Sequence, residues 1–322
     1  MRAVLLNEFG PPEVLVAGEV PDPVAGSGQV LIDVEIASVT FVETQVRAGR
    51  PPHPAMAPEL PAVLGNGVGG TVAAVGEGVH PAVSGARVIS TTGGSGGYAE
   101  RAAVPAGGLI PVPDGLALRD AVALLADGRT ATSLVRGAEV RPGETVLVEA
   151  AAGGVGSLLV QLARNAGARV AAVARGRRKL RLAAELGAEV AVDYGEPGWV
   201  EHVRDEVGDV DVVFDGVGGE IGRAAFDLVR AGGRFCPFGL ASGSFTVIPD
   251  ELAAERGVTV VRGAPPTPED MQALTRSALA EAVAGRLRPV IGQTFPLARA
   301  ADAHAAIEAR DTVGKTLLLA RG

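Results

Sequence analysis

From residue 143 onward the chain alternates short apolar runs with amphipathic stretches, and this rhythm restricts its fold more than any other feature. The apolar runs are TVLVEA (145–150), ARVAAVA (168–174), EVAVDY (189–194), DVVFDGV (211–217), GRFCPFG (233–239) and VTVVRG (258–263). Each is too short and too continuously apolar for a surface strand, as expected of strands buried on both faces of a parallel sheet. Between them lie helical segments: VGSLLVQLARNAG, RRKLRLAAELG, WVEHVRDEVG and GEIGRAAFDLVRAGG. Strand–helix alternation of this kind builds an α/β, doubly wound parallel sheet with helices on both faces.

The first third reads differently. RAVLLN (2–7), QVLIDVEIAS (29–38), GGTVAAVGEG (69–78), ARVIS (86–90) and YAERAAV (98–104) are β-rich runs punctuated by Pro and Gly. The segment PDGLALRDAVALLADGRTATSLV then turns helical, with Asp114 as the expected N-cap. The end of the chain holds a helix near 268–285, an amphipathic stretch ARAADAHAAIEAR and a closing strand KTLLLA. A length of 322 residues exceeds one usual hydrophobic core, so two domains are expected. A net charge of −8 gives no general attraction to nucleic acid or to an anionic membrane. No apolar run approaches the ~20 residues of a membrane span. The start meets Glu8 and a Gly-Pro-Pro turn too early for a signal peptide, and Cys236 has no second cysteine to pair with. The cytoplasm is the expected compartment.

The residues after TVLVEA carry the first chemical signal. The turn reads Ala151-x-Gly153-x-x-Gly156, between a strand and a helix, where dinucleotide-binding units have three glycines. The second glycine lets the backbone approach a pyrophosphate and the third permits close packing of helix on strand; both are present. The first serves the turn, where alanine substitutes if its backbone angles suit a side chain. The N–H groups that follow, over Ala152, Gly153, Gly154, Val155 and Gly156, would face the phosphates. The residue that decides between NAD and NADP lies about 20 positions on. Here that count reaches Arg175, followed by Gly176, Arg177, Arg178 and Lys179, a cluster that attracts a 2′-phosphate where an acid would repel it. NADPH is the expected cofactor.

With these residues in view, the chain resembles the zinc-free, zeta-crystallin-like quinone oxidoreductases of the medium-chain dehydrogenase/reductase superfamily. The matching stretches are GGYAE (96–100), DGRTA (127–131), VEAAAGGVG (148–156), VFDGVGG (213–219), GRFCPFGLASG (233–243) and GRLRPVIGQTFPL (285–297). The resemblance implies a GroES-like, β-rich catalytic domain over 1–118, a Rossmann domain over 119–262, and a return to the catalytic domain over 263–322. It implies a homodimer through the strand at 258–262. It also implies that Thr130, Lys179, Tyr194, Val217, Phe238, Gly239 and Lys315 join the cofactor site, with Lys179 and Tyr194 at the 2′-phosphate and adenosine end.

The zinc-bearing relatives carry a Cys in the segment matching VTFVET and a Gly-His-Glu in the segment matching LGNGVGG. Here those positions are Thr40 and Gly65-Asn66-Gly67. The four histidines are scattered, and His53 and His80 read as solvated loop residues. No metal site is expected, since catalytic zinc needs three protein donors. Many relatives have Asn at the Thr40 position and Tyr at the Gln45 position. Gln45 can donate an amide hydrogen bond but is no acid near neutral pH; its alternative reading is a surface glutamine. Thr40 and Gln45 are the catalytic candidates, Glu43 reads as an exposed loop carboxylate, and Cys236 reads as core.

Without a Lewis acid to hold an alkoxide, reduction of a conjugated carbonyl is favoured over alcohol oxidation. The leading expectation is an NADPH-dependent reductase of quinones or conjugated enones, small molecules bound in a cleft between the domains. An enoyl-thioester or polyketide-tailoring reductase and a non-catalytic NADPH-binding protein are the alternatives.

Overall fold

The computed structural model describes residues 1–262 and 267–321. The chain opens with β1 (Arg2–Leu6), β2 (Leu15–Glu19) and the long β3 (Gln29–Val39), then helix α1 (Phe41–Arg47). There follow β4 (Ala62–Val63), β5 (Gly67–Val75), β6 (Arg87–Thr91), β7 (Arg101–Pro105), β8 (Ile110–Pro111) and α2 (Leu118–Gly137). Alternation then sets in with β9 (Thr145–Glu149), α3 (Gly154–Asn165), β10 (Arg169–Ala174), α4 (Arg177–Leu186), β11 (Val190–Asp193) and α5 (Trp199–Val207). It continues through β12 (Val210–Asp215), α6 (Gly219–Phe226), β13 (Val229–Pro237), α7 (Asp250–Glu255), β14 (Thr259–Val260) and α8 (Pro268–Val283). The chain closes with β15 (Ile291–Pro296), α9 (Ala300–Glu308) and β16 (Lys315–Leu319).

These elements form two compact units, Met1–Ala126 with Pro289–Gly322, and Asp127–Arg288. The first is the GroES-like unit. A seven-stranded sheet runs β15-β16-β3-β5-β6-β8 with β7 also paired to β3, beside a small β2-β1-β4 sheet. Its core gathers Leu6, Val30, Ile32, Val34, Val68, Tyr98, Val104 and Leu318. Gly70 is required where β5 crosses β3, because a Cβ there would lie 2.0 Å from the Asp33 carbonyl.

The second unit is a parallel sheet in the order β11-β10-β9-β12-β13-β14. Counted within the unit this is the 3-2-1-4-5-6 order of a doubly wound dinucleotide-binding fold, which reverses direction between β9 and β12. Burial explains the apolar runs: every residue of β9 and of β12 is buried. Phe226, the last residue of α6, meets Phe235 of β13 edge to face, 5.5 Å between centroids. A buried apolar cluster of Leu147, Val173, Val213, Phe235 and their neighbours fills one side of the sheet.

Several boundaries differ from expectation. Asp114 is not the cap of α2; the helix starts four residues later, and the Ala117 carbonyl accepts from the Asp120 and Ala121 N–H groups. The helix expected over 219–233 ends at Phe226, because Val229 already enters β13. The strand expected over 258–263 is two residues long, and Gly263 lies outside the described residues. The segment 267–288 stays with the parallel sheet instead of the β-rich unit. Polar ties hold it there: Gln161 exchanges two hydrogen bonds of 2.9 Å with the Arg288 backbone, and Asn165 donates to the Arg286 carbonyl at 2.7 Å. Arg136 of α2 donates to Ser277 Oγ of α8 at 2.6 Å.

Candidate active site

The glycine turn follows β9. Ala151 is fully buried and its φ is not positive; the left-handed residue is Ala150, at φ 47°. The strained position therefore falls one residue before the one where the glycine is missing, which is why alanine is accepted at 151. Gly156 has no substitute, since a Cβ there would lie 2.2 Å from the Ala150 carbonyl oxygen. Gly153 is the N-cap of α3 and offers no side-chain cap. The N–H groups of Gly154, Val155 and Gly156 thus begin a twelve-residue helix with its partial positive charge uncovered by a side chain. The residues fit a dinucleotide pyrophosphate.

The neighbouring strand ends bring further candidates to the same edge of the sheet. Arg175 is exposed at the end of β10, and Gly176, at φ 87°, caps α4. Asp193, at the end of β11, was not anticipated. Its Oδ2 accepts from the Gly176 N–H and its Oδ1 from the Gly195 N–H, both at 2.8 Å, binding the two loops together. A Cβ on Gly195 would lie 3.1 Å from Arg175 Nε, so Arg175 stands against the turn that carries Tyr194. Lys179, one turn into α4, is half-buried.

Beyond the reversal point, the Val217 carbonyl accepts from Ser242 N–H at 2.7 Å. The Phe238 and Gly239 N–H groups both donate to the Asp215 carbonyl, at 2.9 and 3.1 Å. Gly239 needs its bare Cα, because a Cβ would fall 2.2 Å from the Gly216 carbonyl oxygen. Thr130 lies within α2.

Thr40, Gln45 and Lys315 belong to the β-rich unit, and there the expectations for Glu43 and for a surface Gln45 are overturned. Glu43 is buried on α1 and Gln45 is 8% exposed. Thr40 is the N-cap of α1 in a capping box: Thr40 N–H reaches Glu43 Oε2 at 2.6 Å, and Glu43 N–H reaches Thr40 Oγ1 at 3.3 Å. Thr40 Oγ1 also donates to Glu43 Oε2 at 3.0 Å, and Asn66 N–H donates to Oε1 at 2.7 Å. Burial raises the Glu43 pKa; the Thr40 and Asn66 N–H groups and the Lys315 charge oppose that shift without cancelling it. Gln45 Nε2 donates to Thr44 Oγ1 at 3.2 Å. The S/T-x-x-E spacing over 40–43 was the available signal for the cap.

Behind Glu43 stands a group the sequence did not reveal. Tyr98 is fully buried, close enough to Glu43 to feel its charge, and its hydroxyl meets His304 Nε2 at 3.0 Å. Burial first, then the Glu43 charge, raises the phenol well above its ordinary range. Burial and the nearby Arg47 charge lower His304 to about 3. His53 and His80 instead accept backbone N–H bonds at the starts of exposed turns. Cys236 is buried and its thiol is pushed up to about 12, as suits a core residue.

Residues 26–114 match the alcohol dehydrogenase GroES-like domain, and 154–280 match the family described as zinc-binding dehydrogenase. The chain is 34% identical to a quinone oxidoreductase of Rattus norvegicus, covering 99% of this chain and 98% of the rat protein. The chain belongs to the quinone oxidoreductase branch of the medium-chain dehydrogenase/reductase superfamily. Within that superfamily it is 32% identical, over 99% of both chains, to a 2-haloacrylate reductase of a Burkholderia species. The Escherichia coli quinone oxidoreductase complexed with NADPH superposes with a TM-score of 0.91 at 28% identity, covering 99% of this chain and 100% of that one. Among the described residues no three His, Cys, Asp or Glu side chains gather to hold a metal ion.

Proposed function

We propose that this oxidoreductase is an NADPH-dependent, metal-free reductase of quinones or conjugated enones. The observation that carries the reading is the uncapped N-terminus of α3 behind Gly153 and Gly156, set at the reversal point of the parallel sheet. Likeness to an NADPH-complexed quinone oxidoreductase over the whole chain supports it.

Reduced nicotinamide, when bound, supplies the hydride. The N–H groups from Gly154 to Gly156 bind its pyrophosphate, with Ala152 and Gly153 allowing the close approach. Arg175, Lys179 and Tyr194 take the 2′-phosphate and adenosine end. Thr130, Val217, Phe238, Gly239 and Lys315 complete the cofactor contacts that the family resemblance implies. Thr40 offers its hydroxyl to the acceptor oxygen. That hydroxyl already donates to Glu43, so it exchanges one bond for another and contributes less than an unengaged donor. Gln45 orients the acceptor and gives up no proton; the proton comes from water. Quinones and enones tolerate this because their developing charge is delocalised.

The Burkholderia relative favours a second acceptor class, an activated carbon–carbon double bond in a small acid. The test is NADPH oxidation followed across quinones, enones, haloacrylates and enoyl thioesters, after treatment with a strong chelator. Turnover of a quinone or enone with undiminished rate is expected. NADPH binding without turnover of any acceptor would overturn the reductase reading in favour of a binding role.

A further inference from the structure

Two side chains at the reversal point have no part in the contacts assigned above. Glu149 ends β9 and Asp215 ends β12, and the parallel register that sets Phe214 beside Val148 brings the two ends together. Both residues are fully buried. They share a donor: the Val217 N–H lies 3.2 Å from Glu149 Oε2 and 3.1 Å from Asp215 Oδ1. Gly218 N–H adds a second bond to Asp215 Oδ1 at 2.6 Å. Glu149 Oε1 and Asp215 Oδ2 are buried with no donor to meet them.

Two full negative charges are not stable in this position. Adjacent buried carboxylates repel strongly, and such pairs hold one proton between them. Glu149 is the carboxyl that keeps it. Burial, then the Asp215 charge and its hydrogen bond, raise the Glu149 pKa well above the ordinary range, and only the Val217 N–H opposes them. No cation among the described residues acts on Glu149. Across from Asp215 Oδ2 stand neutral groups: Gly222 of α6, where a Cβ would lie 2.4 Å from that oxygen, and the Thr246 hydroxyl beside it.

We infer that Glu149 and Asp215 are a one-proton positioning pair that holds the Val217–Gly218 turn in the shape required for dinucleotide binding, so that cofactor affinity falls when the proton is lost. The inference rests on the NADPH-binding reading above. Loss of the proton places a second buried negative charge near the pyrophosphate turn. It also leaves the Val217 N–H between two repelling carboxylates.

NADPH binding is titrated by fluorescence on wild type and Glu149→Gln from about pH 7.5 to about pH 10, above the phosphate ionisation near about pH 6. In wild type, Kd should rise by about tenfold per pH unit once Glu149 loses its proton. In Glu149→Gln the amide donates to Asp215 without titrating, so Kd should stay flat. An infrared difference spectrum should show a protonated-carboxyl band at neutral pH in wild type that the variant lacks, a readout that does not require the variant to bind. Parallel pH profiles in the two proteins, or absence of that band, would overturn the pair. Wild type that binds no NADPH at any pH would sink the cofactor reading and this consequence of it, and the infrared band would then decide the pair alone.

Discussion

A carboxylate in place of Arg175 should separate the two nicotinamide cofactors. A charge-assisted contact to the 2′-phosphate is worth about 1.5–3 kcal/mol, so Arg175→Asp and Lys179→Ala should each weaken NADPH binding by roughly 10- to 150-fold. NADH binding should scarcely change; equal losses for both cofactors would show that the basic run lies away from the phosphate. Ala150 permits a cleaner stability test. A left-handed residue with a side chain costs roughly 1–2 kcal/mol, and Ala150 holds φ 47° immediately before the cofactor turn. Ala150→Gly relieves that strain at some cost in unfolded-state entropy. Thermal melts should register a small gain, and a lowered Tm would place the strain elsewhere.

At the scale of elements, the β-rich unit is cross-linked by a buried polar chain that joins α1, the segment before β7, and α9. His304 is its pH-sensitive member. Unfolded, it takes a proton near its ordinary value of 6.5; folded, it resists down to about 3. The unfolded state therefore binds more protons in that window, and stability falls as pH drops from 6.5 toward 3. The loss attributable to His304 is on the order of 5 kcal/mol at the acid end. His304→Phe keeps a ring against Tyr98 and removes this titration. Denaturant midpoints against pH should therefore fall less steeply in acid for the variant, apart from a pH-independent offset for the lost Tyr98 bond. Identical acid limbs would show that His304 is protonated in the folded protein.

For the whole molecule, assembly turns on one strand. β14 is the edge strand of the parallel sheet, with Thr259 exposed and Val260 half-buried. An unpaired β edge is a pairing liability unless it is short, charged or covered. The proposed homodimer joins two such edges. Val260→Lys should then give monomers in light scattering; an unchanged mass would put the interface elsewhere or show that it tolerates the charge.

What the sequence determined by itself was local. The order of the parallel strands and helices, the need for Gly153 and Gly156, and the basic run after β10 all follow from side-chain periodicity, backbone angles and charge within a few residues. Glu43 escaped because a lone carboxylate between Val42 and Thr44 gives no sign in the sequence of being buried. Only the fold brings Asn66, Tyr98 and Lys315 to it, and Tyr98 meets His304 across 206 residues of chain. The allegiance of the segment 267–288, the pairing of Glu149 with Asp215 and the clasp of Asp193 on two loops were likewise decided by tertiary structure. Each depends on which distant strand ends meet, and burial among them sets the protonation and partners of groups that the unfolded chain leaves equally solvated.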